Sequence, residues 1–357
     1  MSLLVLNSGS SSLKYHLFDG VPLSGVIDTR DSAGAVRELM ERLPHGVELV
    51  GHRVVNGYHL FGDAVVLDDS HMTQLRDFAR SSGITTHYEL DNIAVARQAL
   101  PRATHVAVFD SAFHRTLPRE AFLYALPWDQ YEAHGIRRWG FHGLSHESVS
   151  EAFAPRRVVS CHLGNGASIC AIRDGMSVDT SMGFTTLEGL AMGSRAGDVD
   201  AGVVFDLLIR QGLAPTVVAE MLTKRSGLLG LSGVSADFRE VARAAAEGHE
   251  RARIAIAVYC YRVRKYIGAY AAALGGIDVL VFTGGIGEHS ADVRRGATAE
   301  LGFLGITVGA ARNAAAEGRC RISPDGAKVE VWVAPASEER IIARETRRAA
   351  RETPGTS

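Results

Sequence analysis

Cysteine is scarce, an excess of one charge is missing, and no apolar run is long and clean enough for a membrane. The four cysteines, Cys161, Cys170, Cys260 and Cys320, lie scattered through 357 residues without a CxxC pair. That leaves no disulfide framework to read and fits small apolar thiols in a reducing, cytoplasmic setting. Net charge is −2 with acids and bases interspersed, which removes the electrostatic footprint of a nucleic-acid binder or of a protein docked on an anionic membrane. A small anionic ligand must then be held by a few local cations. No basic stretch leads into an apolar one at the start, so no secretory signal is expected. The most membrane-like stretch, residues 254–274, is interrupted by Arg262, Arg264 and Lys265 and reads as a buried or half-buried helix. What the chain does have is bulk: 46% of its residues are hydrophobic, enough for two domains with their own cores.

It also has a repeat. Residues 3–20, LLVLNSGSSSLKYHLFDG, read as an apolar strand, a tight turn of small polar residues, a second strand and an Asp-Gly turn. Residues 158–175, VVSCHLGNGASICAIRDG, follow the same plan at the same length. Counted without gaps, Gly9 meets Gly164, Asp19 meets Asp174 and Gly20 meets Gly175. Small side chains let a phosphate approach backbone N–H groups, and Lys14, just past the first turn, can reach a phosphate oxygen. Two such hairpins suggest a duplicated fold with a polyphosphate held between its halves.

Further along, residues 48–55 form a strand ending in GHRVVNGYH, which sets Arg53 before a glycine loop where an anion could sit. Asp110 follows directly on the strand 105–109, at the carboxyl end where open α/β sheets place ligands. His142 and His146 are four apart, but Gly143 stands where a metalloprotease has Glu and no third ligand is suggested nearby, so His142 reads better as a donor to an anion. Residues 179–200 carry four glycines and one cation, Arg195, and have the character of an active-site loop. The strand 277–282 runs into TGGIGE and a helix, a nucleotide-binding shape that is neither a Walker A sequence nor a GxGxxG fingerprint. Glu338 and Glu339 open the last helix, where acids offset the helix dipole or could serve a magnesium ion.

Taken together, NSGSSSLKY, GHRVVNG, VFDSAFHRTLP, RRWGFHGLSHE, CHLGNGASI, DTSMGFTTLEGLAMGSRAGDVD, KRSGLLGLSGVSADFRE, FTGGIGEHS and APASEERIIARET resemble the acetate kinase (acetokinase) family of the actin, hexokinase and Hsp70 superfamily. The resemblance implies an α/β fold of two duplicated ribonuclease H-like (βββαβαβα) domains with an interdomain active-site cleft. It divides the chain into residues 1–115 plus 340–357, closed by the C-terminal helix, and a nucleotide-binding domain of residues 116–339. It also implies ATP or ADP as co-substrate, magnesium (or manganese), a small carboxylate as the other substrate, and usually a homodimer.

By motif, Asn7 and Glu338 look like the magnesium residues and Lys14 like a nucleotide phosphate contact. His162, Leu163, Gly164, Asn165 and Gly166 resemble the second phosphate loop. Asp237, Phe238 and Arg239, with Gly285, Ile286, Gly287, Glu288 and His289, resemble the nucleotide pocket. Arg53 looks like the carboxylate-binding arginine, and Asp110, His142 and Arg195 like the catalytic group. The family's substrate-methyl pocket maps onto Val55, Thr86, Phe141 and Thr186. Thr86 and Thr186 depart from the family pattern, as do Asn56, Tyr58 and the run Thr85-Thr86-His87-Tyr88-Glu89.

The chemistry wants these residue types. Transfer of a γ-phosphoryl group to a carboxylate spreads negative charge over equatorial oxygens, which arginines, a histidine donor and magnesium stabilise. A carboxylate with a pKa of roughly 4 to 5 is already ionised and needs no general base, so Asp110 is expected to orient arginine or magnesium. Preference for propionate, butyrate or a hydroxy acid is the alternative within this class. A non-catalytic ATP-binding clamp is the alternative outside it, but a clamp has no need of Arg53 and Arg195 for a second ligand.

Overall fold

The structure is a computed structural model that describes residues 1–8, 12–19, 23–28, 31–43, 46–57, 59–82 and 87–352. Of the residues singled out above, Gly9, Gly20, Tyr58, Thr85 and Thr86 lie outside the described set. The chain divides into two compact units, Met1–Arg115 with Ser337–Ser357, and Thr116–Ala336.

The first unit holds strands β1 (Ser2–Ser8), β2 (Ser12–Phe18), β3 (Leu23–Asp28), β4 (Val47–Val54), β5 (Val65–Val66) and β6 (Thr104–Phe109) in the order β3-β2-β1-β4-β6-β5. β1, β4 and β6 run parallel, and β2 and β3 fold back antiparallel as a meander. Leu3, Leu4, Val5 and Leu6 are all buried, the unbroken apolar run expected of a central strand covered on both faces. On one side Leu4 and Leu6 pack with Val36 and Leu39 of the helix Ser32–Arg42. That helix is capped as its sequence suggests, by the Asp31 side chain accepting from Gly34 N at 2.8 Å. The C-terminal helix Glu338–Glu352 packs on β1, β4 and β6.

The second unit repeats this plan. Its strands β7 (Val158–Leu163), β8 (Ala167–Arg173), β9 (Met176–Thr180), β10 (Val279–Thr283), β11 (Cys320–Arg321) and β12 (Glu330–Val333) stand in the order β11-β12-β10-β7-β8-β9. Read from the other edge, this is the first sheet strand for strand, again with three parallel strands in the middle. The two units are thus duplicated ribonuclease H-like sheets. Asp19 and Asp174, matched by the gapless count, share the left-handed conformation at φ 57° and 52°. The registers differ by one, however. β1 pairs Leu3 with Phe18 and ends at Ser8 opposite Leu13, whereas β7 pairs Val158 with Ile172 and ends at Leu163 opposite Ala167. The second turn is the tighter by one residue.

Most elements appear where the pattern places them, with ends shifted by a residue or two. Two do not. Asp179 and Thr180, read as the start of a loop, belong to β9, a strand whose MSVDT sequence is too polar to announce itself. The helix Gly143–Phe153 was not anticipated, because it buries Ser145, His146 and Ser148 beside Leu144 and Val149 and so lacks an apolar stripe.

One buried polar contact in the first unit has a pH signature. His52 on β4 and His105 on β6 are stacked, with Nε2 of His52 2.9 Å from Nδ1 of His105, whose own Nε2 donates to the Leu100 carbonyl at 3.0 Å. Burial, followed by the neighbouring His105 ring and the Arg97 guanidinium, holds His52 well below the ordinary histidine value; burial foremost also lowers His105. Between those depressed values and about 6.5, the unfolded chain binds protons that the folded one refuses. Stability contributed by the pair is therefore present above that window and is lost as pH falls through it. Urea midpoints should be lower at pH 5 than at pH 7.5, and a His52→Leu/His105→Leu variant should flatten the difference; equal midpoints for the native protein would contradict this reading.

Candidate active site

In the first unit the parallel strands carry their polar residues at the carboxyl ends. Asn7 lies near the end of β1, Arg53 near the end of β4, and Asp110 just beyond β6. Nη2 of Arg53 donates to Oδ2 of Asp110 at 2.7 Å, and Nη1 donates to the Ser8 carbonyl at 2.9 Å. Nη1 also lies 3.7 Å from Oε1 of Glu89, whose other oxygen accepts from Val55 N at 2.9 Å. Asp110 and Glu89 are both buried, so this guanidinium compensates carboxylates that would be costly alone. Nδ2 of Asn7 donates to Glu338 at 2.7 Å and to Glu339 at 3.1 Å. Lys14, on β2 opposite Asn7, is exposed.

In the second unit, β7 ends at His162 and Leu163, and the turn that follows is drawn tight by Gly164 N donating to Gly166 O at 3.0 Å. A side chain on Gly166 would lie 2.7 Å from Nη2 of Arg195 and 3.4 Å from Cε1 and Nε2 of His142. The glycine is what lets both groups settle against the turn. His142 takes the left-handed conformation, φ 57°, at the start of the helix Gly143–Phe153, a strained placement of the kind found at functional positions. Its ring lies 4.4 Å from that of His162. Phe141 beside it is buried.

The glycine-rich loop is held rather than loose. Nη1 of Arg195 donates to the Thr186 carbonyl at 2.7 Å, and Gly193 N donates to Asn165 O at 3.0 Å. Glu188 accepts from the Tyr124 hydroxyl and from Arg138 Nη2 at 2.5 Å, and Asp198 accepts from Gly189 N and the Tyr266 hydroxyl. Thr186 is thus tied to Arg195 through its backbone, a role its side chain did not suggest.

The remaining residues gather at two helix starts. Asp237 caps the helix Phe238–Ala246 and pairs with the exposed Arg239 at 2.6 Å, an interaction that lowers its pKa. Phe238 contacts Tyr259, ring centroids 6.2 Å apart. Gly284, at φ 75°, seats the helix Gly284–His289 so close to Leu163 that a side chain there would meet its backbone. This brings Gly285, Ile286, Gly287, Glu288 and His289 beside the end of β7, with Glu288 accepting from Gly284 N at 2.9 Å. Buried Arg294, which sequence reasoning missed, donates to the carbonyls of Gly287 at 2.9 Å and Glu288 at 2.7 Å and anchors that helix to Asn313. Glu89 was noted only as a departure. Ser145, at helical spacing from His142, donates to or accepts from His162 Nδ1 at 2.8 Å. Among the described residues, no group of three or more His, Cys, Asp and Glu is placed to hold a metal, and no helix is long and apolar enough to cross a membrane.

Duplicated ribonuclease H-like sheets whose central parallel strands end in polar residues form the scaffold of a two-domain α/β protein, and its relatives supply its class, a phosphotransferase. The Acetokinase family profile matches residues 33–344. Acetate kinases of Dictyoglomus turgidum and Caldicellulosiruptor saccharolyticus are 41% and 40% identical over 392 and 395 residues, covering 97% and 98% of this chain and 97% and 99% of theirs. The crystal structure of Porphyromonas gingivalis acetate kinase superposes with a TM-score of 0.86 at 36% identity, covering 98% of this chain and 99% of that one. A propionate kinase from Francisella tularensis superposes at 0.89 and 32%, covering 97% and 99%. The chain belongs to the acetokinase family, kinases that transfer phosphate to a carboxylate.

Crowding at Gly166 makes a direct test. Gly166→Ala should lower turnover by about 10²-fold, the scale of an ångström-level misplacement, with little change in melting temperature. Gly268→Ala, where an added Cβ meets nothing within 4 Å, is the matched control and should be neutral. Equal turnover in the two variants would refute the role assigned to the turn.

Proposed function

We propose that this protein is an acetate kinase, catalysing reversible magnesium- and ATP-dependent phosphoryl transfer to acetate to give acetyl phosphate and ADP. The observation that carries the reading is the pairing of Arg53 with Asp110 in one unit and the setting of His142 and Arg195 over Gly166 in the other. A kinase acting on a small anion needs both sets.

Arg53 binds the acetate carboxylate, and Asp110, bonded to its Nη2, orients it. One carboxylate oxygen attacks the γ-phosphorus while the bond from phosphorus to the β,γ-bridging oxygen breaks, its electron pair leaving with ADP. The nucleophile is already ionised, so no proton need move. Arg195 and His142 donate hydrogen bonds to the equatorial oxygens as charge builds on them. Residues 162–166 cradle phosphate through backbone N–H groups and Lys14 adds a point charge. Asp237, Phe238, Arg239 and residues 285–289 receive the nucleoside. Asn7 with Glu338 and Glu339 offers the hard oxygen donors that suit magnesium. When bound, that ion neutralises phosphate charge. By motif resemblance, Val55, Thr86, Phe141 and Thr186 are assigned to the acid's alkyl group. The likeness to a propionate kinase keeps chain length open as a specificity question, since one methylene is worth only about 1–3 kcal/mol in such a pocket.

A hydroxamate assay with Mg-ATP and acetate tests the reaction. Arg195→Ala should lower kcat by on the order of 10³-fold, Arg53→Ala should act mainly on the KM for acetate, and chelation should stop turnover. A native protein no more active than Arg195→Ala would sink the reading, and kcat/KM compared over acetate, propionate and butyrate decides the preferred acid.

A cytoplasmic homodimer completes the proposal. All four cysteines are free thiols, which supports a reducing compartment. Val203, Phe205 and Ile209 are 45%, 59% and 80% exposed on adjoining helical turns, an apolar patch that a second copy would cover. Light scattering should give a dimer mass, and Phe205→Glu/Ile209→Glu should shift it toward monomer; a monomeric native protein would rule the dimer out.

A further inference from the structure

The helix Gly143–Phe153 packs on β7, with Ser145 and His146 in its first turn and His142 at its cap. Opposite them stand Ser160 and His162, two apart on β7, and Ser168, directly across from His162 on β8. The contacts form a continuous line. Nδ1 of His146 is 2.9 Å from the Ser160 hydroxyl, Nε2 of His146 is 2.9 Å from the Ser168 hydroxyl, and that same hydroxyl is 2.9 Å from Nδ1 of His142. Ser160, Ser168 and His146 are fully buried.

A serine hydroxyl has one proton, so Ser168 can donate to only one of its two histidine partners. If His146 carries its proton on Nε2, it donates to Ser168, Ser168 donates to Nδ1 of His142, and the proton of neutral His142 stands on Nε2. If His146 carries its proton on Nδ1, every bond reverses and Nε2 of His142 becomes a bare acceptor. Ser168 thus couples the tautomers of two histidines, one of which lies beside Arg195 and Gly166.

We propose that His146 and Ser168 are positioning residues that set the His142 tautomer, through the relay Ser160 to His146 to Ser168 to His142, so that Nε2–H is presented as a hydrogen-bond donor. The choice of polarity rests on the phosphoryl-transfer reading above: next to Arg195, an anionic oxygen is served by a donor and repelled by a lone pair. The fixed relay also means that this donor needs no reorganisation when charge develops. It gives buried His146 a purpose other than metal binding.

Histidine ¹⁵N NMR on the full-length protein reads the tautomers directly, with native, Ser168→Ala, Ser168→Thr and His146→Phe proteins compared. The native spectrum should show His142 protonated on Nε2 with Nδ1 bare, and the same Nε2–H pattern for His146. Ser168→Ala and His146→Phe should mix the His142 tautomers and lower kcat on the order of 10–100-fold, while KM for nucleotide and acetate changes little. Ser168→Thr, which keeps the hydroxyl, should restore both signals. A native His142 protonated on Nδ1 overturns the proposal whether or not any variant folds. So does a Ser168→Ala protein that merely melts at lower temperature while keeping its tautomer and its kcat. A native protein that fails to phosphorylate acetate yet shows the Nε2–H relay would defeat the proposed reaction and leave the relay standing.

Discussion

The missing side chain at Gly166 is the constraint on which the second unit's chemistry depends. A guanidinium and an imidazole approach the turn so closely that even a methyl group would collide with Arg195. The same closeness recurs at Gly193, where an added Cβ would fall 1.9 Å from Oδ1 of Asn165 and 2.7 Å from the Ala236 carbonyl, and where the backbone N–H bonds the Asn165 carbonyl. Backbone apposition of this kind brings N–H groups and cations to one place without bulky side chains between them. Small residues are therefore concentrated where the chain must be both irregular and rigid.

Rigidity is supplied from behind. Arg138 holds Glu188 and three successive carbonyls, that of Thr180 at the end of β9 and those of Ser181 and Met182 in the loop. Asp198 is gripped by a backbone N–H and a tyrosine, and Arg294 makes four hydrogen bonds, to the carbonyls of Gly287 and Glu288 and to the side-chain and backbone oxygens of Asn313. Buried Arg294 and half-buried Arg138, Glu188 and Asp198 are costly to desolvate, and these bonds offset that cost. In the first unit the equivalent burden falls on Arg53, shared by Asp110 and approached by Glu89. A cation held among carboxylates is aimed precisely where they allow, at the expense of some of its attraction for a further anion.

Duplication explains the scaffold but not the chemistry. Two sheets of one topology end their central parallel strands at matching places, yet one set of ends carries Asn7, Arg53 and Asp110 and the other His162 and Thr283. The one-residue difference in hairpin register is a small cause of that divergence. In the second turn Gly164 bonds Gly166.

Apolar runs, Asp-Gly turns and capping residues are local signals, and they sufficed to mark both hairpins, the repeat, the long helix over residues 254–274, and the positions of Arg53, Asp110, His142 and Arg195 in the sequence. Motif resemblance added the family and the substrate class. What the sequence could not decide was partnership. That Glu89 stands beside Arg53, that Thr186 serves Arg195 through its carbonyl, that His146 and His142 share one serine, and that a polar stretch pairs as β9 all depend on residues brought together from distant parts of the chain. Periodicity reports how a residue relates to its own helix or strand; a hydrogen bond between strands and helices is set by packing, and only the folded chain contains that information.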